Sequence, residues 1–200
     1  IKDEHGENGN LTSHSIGFQI VKSFQNNLQL GSTCVYQFGK HSSDTIKAYG
    51  VNAKILYTFD FPTKPQIGMK YTFGSGDSNP KDGTYETFDG VFGGADLYYG
   101  FMNLFFWSNI RDVEANFAIS PSEKLSLSFD CHRFSLASKR DGWYLPSLVS
   151  NLRDTTGRSG TAIGTEYDLR FIYTLKKQLS ILCGVSKLCP LDFIKLNLQK

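Results

Sequence analysis

Charged side chains recur at every second position in several segments, a spacing that places them on one face of a β-strand. The residues of this set are Lys54, Lys70, Asp112, Glu114, Asp130, His132, Glu166, Asp168 and Arg170. In a barrel too wide for its side chains to fill, such charges hydrate a pore and create a field that sets ion selectivity. They could equally form neutralising pairs that hold the wall together, because Arg170 shares a face with Glu166 and Asp168. We predict that these residues line a pore, and both roles stay open.

Two carboxylate pairs could act as a general acid and a general base: Asp112 with Glu114, and Asp77 with Asp82. Neither pair has an adjacent nucleophile, and nothing in the neighbouring sequence would separate the two pKa values. The sequence therefore predicts no enzyme and no catalytic residue.

A longer segment, 73–105, is rich in Gly, Asp, Asn and aromatic residues and shows neither the helical nor the strand period. Its signature residues are Gly76, Asp77, Asp82, Phe88 and Asp89. The acidic side chains of this segment, together with Asn79, could bind calcium, although the spacing is not that of an EF-hand. Capping of glycine-rich turns is the alternative that we favour. The histidines at 5, 14, 41 and 132 are scattered, so we predict no metal site and no cofactor.

A second long segment, 137–160, carries arginines beside aromatic residues. They are Arg140, Trp143, Tyr144, Arg153 and Arg158. Guanidinium groups bind carboxylates and aromatic faces stack on sugar rings, so this segment could contact a polyanionic sugar. An ordinary solvated loop remains the other interpretation.

Composition excludes some classes of protein. The 200 residues contain 21 basic and 19 acidic residues, a net charge of +2, which is far from the basic excess of a nucleic-acid-binding protein. The cysteines lack the pairings of a zinc site, and Cys34, Cys131 and Cys183 fall on apolar strand faces. The length is that of one domain, which we place over residues 1–200.

Alternation of apolar and polar residues predicts about eight strands. They cover residues 16–24, 28–39, 49–59, 67–73, 113–119, 125–132, 167–175 and 179–185. The connections between them alternate in length. Short turns are expected at 25–27, 60–65, 120–124 and 176–178, and longer loops at 40–44, 74–103 and 137–160.

This pattern defines an all-β, antiparallel, up-and-down barrel, but a soluble barrel shows the same alternation with its apolar face inside. Three features favour a transmembrane barrel: long loops on one side, aromatic residues near strand ends, and a polar strand face rich in Gly, Ser, Thr, Gln and Asn. No apolar run of about 18 residues predicts a spanning helix, and no signal peptide is recognisable. A soluble ligand-binding barrel and an outer-membrane enzyme remain the alternatives.

Several motifs in order resemble the alginate-export family of outer-membrane proteins. They are YTFGSGDSNPKDG at 71–83, ETFD at 86–89, Tyr99 with Gly100, Asn109, PSEKL at 121–125, KRDGWY at 139–144, GTEYDL at 164–169 and DFI at 192–194. The resemblance covers about residues 16 to 194 and implies a barrel of about 18 strands in the cell outer membrane. It implies a porin-like channel that passes an anionic polysaccharide through a basic constriction, with the lipid bilayer and that solute as partners.

From the same resemblance we expect the chain to be the C-terminal half of such a barrel. Residues 196–200 lack the terminal aromatic residue that closing strands of these barrels carry. We therefore expect a fragment that lacks the N-terminal half and most of the last strand.

Overall fold

A computed structural model describes residues 10–25, 27–90, 99–145 and 150–198. It confirms the all-β class. The strands are β1 (Leu11–Ser23), β2 (Leu28–His41), β3 (Asp44–Thr58), β4 (Gln66–Gly74), β5 (Thr84–Tyr85), β6 (Ile110–Ser122), β7 (Leu125–Leu136), β8 (Gly142–Tyr144), β9 (Ser150–Arg153), β10 (Ala162–Lys176) and β11 (Leu179–Pro190), and one helix, α1, covers Asp192–Leu198.

The main sheet is an antiparallel meander with the order β1-β2-β3-β4-β6-β7-β10-β11. Each neighbour in space is the next long strand in the chain. Tight turns favour this order for most pairs, and the two long loops join β4 to β6 and β7 to β10. The pairing of β2 with β3 runs without a break from Leu28 opposite Tyr57 to His41 opposite Asp44. Within the described ranges β1 and β11 are the edges of this sheet.

One face of the sheet exposes large apolar side chains along nearly its whole length. Ile16 is 67% exposed, Met69 57% and Leu169 56%, and Phe117 and Phe129, which lie opposite each other, are also exposed. A soluble protein rarely leaves so large an apolar surface in water. These are the positions that the alternation assigns to lipid, so the periodicity placed the outward face correctly.

The opposite, inner face of the sheet differs in character between its two ends. Towards the short turns it is mostly polar, with Val21, Leu56, Ile172 and Leu182 as apolar exceptions. Towards the long loops it carries Ile46, Ala48, Ile110, Phe134 and Leu136, all buried. These side chains form a core with loop residues that fold over them. The loop contribution consists of Phe88, Tyr99, Phe105, Trp107 and Trp143, joined by Phe193 and Ile194 of α1. The long loops are therefore packed against the inner face.

Several expectations about the connections need correction. The loop predicted at 40–44 is a tight turn, because β2 reaches His41 and β3 begins at Asp44, with Ser42 at a φ of 55°. The two long segments are not structureless, since one contains β5, which pairs in parallel with β3, and the other contains the β8–β9 hairpin.

The C-terminal segment also differs from expectation. Residues 192–198, for which the alternation predicted no element, form α1, with Asp192 in its first turn and Lys195 in its last, where each charge suits the helix dipole. Phe193 is fully buried in the core. No helix in the described ranges is long and apolar enough to cross a membrane.

Candidate functional site

Two ion pairs connect neighbouring strands on the inner face. Lys70 of β4 lies directly opposite Glu114 of β6, and their charged groups are in contact. Asp130 of β7 lies opposite Asp168 of β10, an unfavourable juxtaposition of like charges. Arg170 contacts Asp130 and offsets this repulsion.

His132 lies between these pairs. Its Nδ1 is 2.9 Å from Oδ2 of Asp112, while its Nε2 is 3.8 Å from Oε2 of Glu114 and 3.9 Å from Oδ2 of Asp168. The ring stacks on Phe134 with a centroid separation of 5.2 Å. The shorter distance is a hydrogen bond, whereas the two longer ones are only electrostatic contacts.

The same group could hold a divalent cation. Ligand atoms of Asp112, Glu114 and His132 all lie within 4.8 Å of one another, and imidazole with carboxylates is a donor set that zinc accepts. Lys70 competes for Glu114. The sequence did not predict this grouping because His132 is far along the chain from the other two, and only strand pairing brings them together.

The long loop covers part of this acidic surface. The backbone N–H of Phe101 donates to Oδ2 of Asp168 at 3.1 Å, and that of Met102 donates to Oε1 of Glu166 at 3.0 Å. Gly100 has a φ of 84°, and a Cβ there would lie 2.4 Å from Oε1 of Glu166. A side chain at position 100 would therefore lift the loop from the wall.

Lys54 has a different environment. It is exposed on the inner face of β3, and its aliphatic stem lies over Gly31 of β2, where a Cβ would meet Lys54 Cε at 2.7 Å. Within the described ranges no carboxylate forms an ion pair with it. It borders a groove of about 350 Å³ with a mixed lining. The lining includes Gln19, Gln29, Thr33 and Asn52, the apolar Val21 and Leu56, and the paired Lys70 and Glu114.

The loops are joined by Asp141, a carboxylate that is almost fully buried. Its Oδ2 accepts the backbone N–H of Asp77 at 2.8 Å and the hydroxyl of Thr87 at 2.6 Å. Its Oδ1 accepts the hydroxyl of Tyr144 and Nη2 of Arg153, each at 2.7 Å. One side chain therefore ties the first long loop to the second.

The signature residues of the first loop occupy structural positions. Asp77 and Asp82 each cap a turn, accepting the N–H of Asn79 and of Thr84 respectively at 2.9 Å. Phe88 packs edge-on against Trp107 in the core. A Cβ at Gly76 would lie 1.9 Å from Oδ1 of Asn109. These contacts are those of turn capping and packing.

Asp89 completes this set. Its backbone exchanges two hydrogen bonds with the side chain of Gln37 on the inner face of β2, at 2.8 and 2.7 Å. The loop is therefore bonded to the barrel wall at a point far from its own ends.

The arginine-rich segment separates into buried and exposed parts. Trp143 and Tyr144 are buried, with Trp143 Nε1 donating to the carbonyl of Leu104 at 2.9 Å. Arg153 is paired with Asp141. Of the five residues expected to contact a sugar, Arg140 and Arg158 are the exposed ones.

Asp154 organises the turn that carries Arg158. Its carboxylate accepts the N–H and hydroxyl of Thr156 at 3.0 and 2.6 Å, and those of Ser159 at 2.8 Å each. These hydrogen bonds, led by that of the Thr156 hydroxyl, hold the pKa of Asp154 well below its ordinary value.

Sequence reasoning missed Asn109 as a structural residue. Its Nδ2 donates to the carbonyls of Ser138 and Gly142 at 3.1 and 2.9 Å, and its Oδ1 accepts the N–H of Ser138 at 2.6 Å. Asn109 lies just before β6 and has a φ of 47°, a left-handed conformation that asparagine tolerates better than most residues. Nothing in the strand pattern indicates this role.

An antiparallel meander with an apolar outer face, a charged inner face and long loops folded inward at one end has the pattern of a transmembrane β-barrel wall. The sequence model of the alginate export family matches residues 4–198, and the chain belongs to that family. No curated protein matches the chain.

Proposed function

We propose that the chain forms part of the wall of an outer-membrane channel that passes a hydrophilic, anionic polysaccharide. The observation that carries this proposal is the contrast between the two faces of the sheet. The outer face suits lipid, and the inner face offers amides, hydroxyls and charges to a hydrated solute. Membership of a family named for alginate export supports both the transport role and a location in the cell outer membrane.

The inner face has two regions with different roles. Over β6, β7 and β10 the charges are engaged in pairs, and the loop around Phe101 lies on them. Over β1 to β4 the groove beside Lys54 offers the amides of Gln19, Gln29 and Asn52, and the Lys70–Glu114 pair lies at its border. We assign the solute path to the second region.

Lys54 is the cation that acts on the solute in this scheme. A cation without a protein counter-ion lowers the barrier to carboxylates that shed part of their hydration. Lys70 and Arg170 face acidic partners, so their fields are largely cancelled locally. Gln19, Gln29 and Asn52 supply the neutral donors and acceptors that sugar hydroxyls require.

The test is a single-channel recording of the intact protein in a planar bilayer. Lys54→Glu should lower anion preference and weaken block by oligouronate, more strongly at low salt than at high salt. Lys124→Glu, in an exposed short turn away from the groove, is the matched control. Unchanged anion preference and block in Lys54→Glu would refute the assigned path. A protein that is soluble and monomeric without detergent would refute the channel itself.

A further inference from the structure

The outward face of the main sheet carries charges of one sign. At outward positions of the long strands in the described ranges, every ionisable Asp, Glu, Lys or Arg is a cation. They are Lys22, Lys40, Lys47, Arg111, Arg133, Lys187 and Lys176, the last of which lies opposite the outward residue Leu179. All seven side chains are exposed.

Five of these cations lie at the same end of the sheet. Lys40, Lys47, Arg111, Arg133 and Lys187 are each within about three residues of the end of their strand that meets the long loops or the turn on that side. Lys22 and Lys176 lie at the opposite end, one residue from the end of β1 and at the end of β10 respectively. We call the five residues the cation belt.

Apolar side chains lie immediately beside the belt. Lys47 is opposite Phe38 and Lys187 is opposite Tyr167, both exposed apolar residues. The guanidinium of Arg111 lies 5.9 Å from the ring centroid of Phe73, a cation–π contact. A row of cations on the edge of an apolar surface marks the depth at which hydrocarbon meets head groups.

A surface cavity of about 520 Å³ lies within this belt, between β3, β4 and the second long loop. Lys47, Lys139 and Arg140 outnumber Glu86 among its charged lining residues, and the Glu86 carboxylate accepts a hydrogen bond from the Ser78 hydroxyl. Tyr49 and Phe73 contribute aromatic rings. Both aromatic residues are at outward positions, and their rings stack with centroids 5.3 Å apart. Such a cavity fits an anionic group on the loop side with an acyl chain against the rings.

We propose that the cation belt binds the phosphate groups of membrane lipids in the leaflet on the long-loop side of the barrel. This inference rests on the proposed function, because it requires the sheet to be the wall of a barrel in a bilayer. Phosphate suits the belt because guanidinium and ammonium groups pair strongly with phosphate oxygens, and no acidic side chain at an outward strand position in the described ranges competes.

The experiment measures lipid binding to the intact protein in detergent micelles by native mass spectrometry, with rough lipopolysaccharide as the probe. The variant combines Lys47→Gln, Arg111→Gln, Arg133→Gln and Lys187→Gln, and the matched control is Lys22→Gln at the opposite end. We expect the fourfold variant to bind at least about tenfold more weakly, the control to bind like the parent, and parent binding to fall as salt rises.

Additional arms distinguish the chemistry and the source of the anion. Dephosphorylated lipopolysaccharide should bind the parent as weakly as the intact lipid binds the fourfold variant. Inorganic phosphate at an equal concentration of phosphate should not displace the lipid. Equal binding of the two lipid forms, or displacement by free phosphate, would overturn the proposal.

Failure of this inference is distinguishable from failure of the proposed function. The fourfold variant can change its gel mobility on heating, as a folded barrel does, and conduct normally. If it then binds lipid like the parent, the cation belt alone is refuted. A parent that needs no detergent and forms no channel would refute both.

Discussion

The carboxylate of Asp141 accepts a hydrogen bond of 2.8 Å from the backbone N–H of Asp77, which lies 64 residues earlier in the chain. This contact joins the two long loops on the inner side of the sheet. The other Asp141 oxygen accepts from Arg153, whose side chain is mostly buried. Loops that are so connected form a fixed structure at the mouth of the barrel.

Asp141→Asn should loosen both loops together. The substitution removes the charge that pairs with Arg153, and breaking one partner of a buried ion pair costs about 3–5 kcal/mol. Limited trypsin digestion of the intact protein in detergent should then cut within 137–160 faster than in the parent. Arg158→Lys is the control, because Arg158 is exposed and lysine keeps the trypsin site. Equal digestion rates for Asp141→Asn and the parent would contradict the role of Asp141.

Gly76→Ala should disturb the loop more than Gly160→Ala. An added Cβ at Gly76 would lie 1.9 Å from Oδ1 of Asn109, whereas at Gly160 it meets nothing within 4 Å. Gly160 has a φ of 71°, so its substitution costs only the left-handed strain of about 1–2 kcal/mol. The temperature at which the folded gel band disappears should fall further for Gly76→Ala, and the opposite order would exclude the close contact with Asn109.

Arg170→Glu should impair assembly of the barrel. The change leaves Asp130 without its cation and adds a third carboxylate beside the facing pair Asp130 and Asp168. The yield of heat-modifiable protein measures assembly, and the exchange Arg170→Asp with Asp130→Arg should restore much of it. If Arg170→Glu instead assembles normally and changes ion preference, Arg170 acts on the solute and the division of the inner face is wrong.

Phe117→Arg should destabilise the protein in a bilayer by about 2–4 kcal/mol if the residue lies near the midplane. Phe117 is 43% exposed on the outer face and lies between Ile67 and Phe129 on the neighbouring strands. Reversible urea unfolding in vesicles gives the free energy, with Phe117→Leu as the control of similar hydrophobicity. A change near zero would place this position in contact with water.

The turn at Asp154 should stay ordered on acidification until the pH falls far below the range in which carboxylates ordinarily titrate. The folded pKa of Asp154 is lowered, so its stabilising contribution is present above the unfolded pKa of about 3.9 and is lost as the pH falls through the lower folded value. Hydrogen exchange of residues 154–160, corrected for intrinsic rates, should therefore be slow at pH 7 and at pH 5. Asp154→Asn should exchange faster at both, and identical protection in parent and variant would refute the role of the carboxylate.

The sequence alone determined which side chains face outward. Alternation with a period of two residues is a local property, so the pattern around Met69 or Phe117 indicates the face of the strand without knowledge of its neighbours. The same logic placed Lys54, Lys70 and Arg170 on the inner face. The pairing of strands joined by tight turns, such as β1 with β2 and β10 with β11, also followed from the sequence.

The tertiary structure alone decided what the inner face does. Whether a cation is paired depends on strand register, which places Glu114 opposite Lys70 and leaves Lys54 without a carboxylate partner in the described part of the chain. The sequence pattern indicated a loop but not its direction. Its inward fold depends on contacts such as Phe105 on Phe134 and Asp77 with Asp141, which join residues far apart in the chain and leave no local periodicity to be detected.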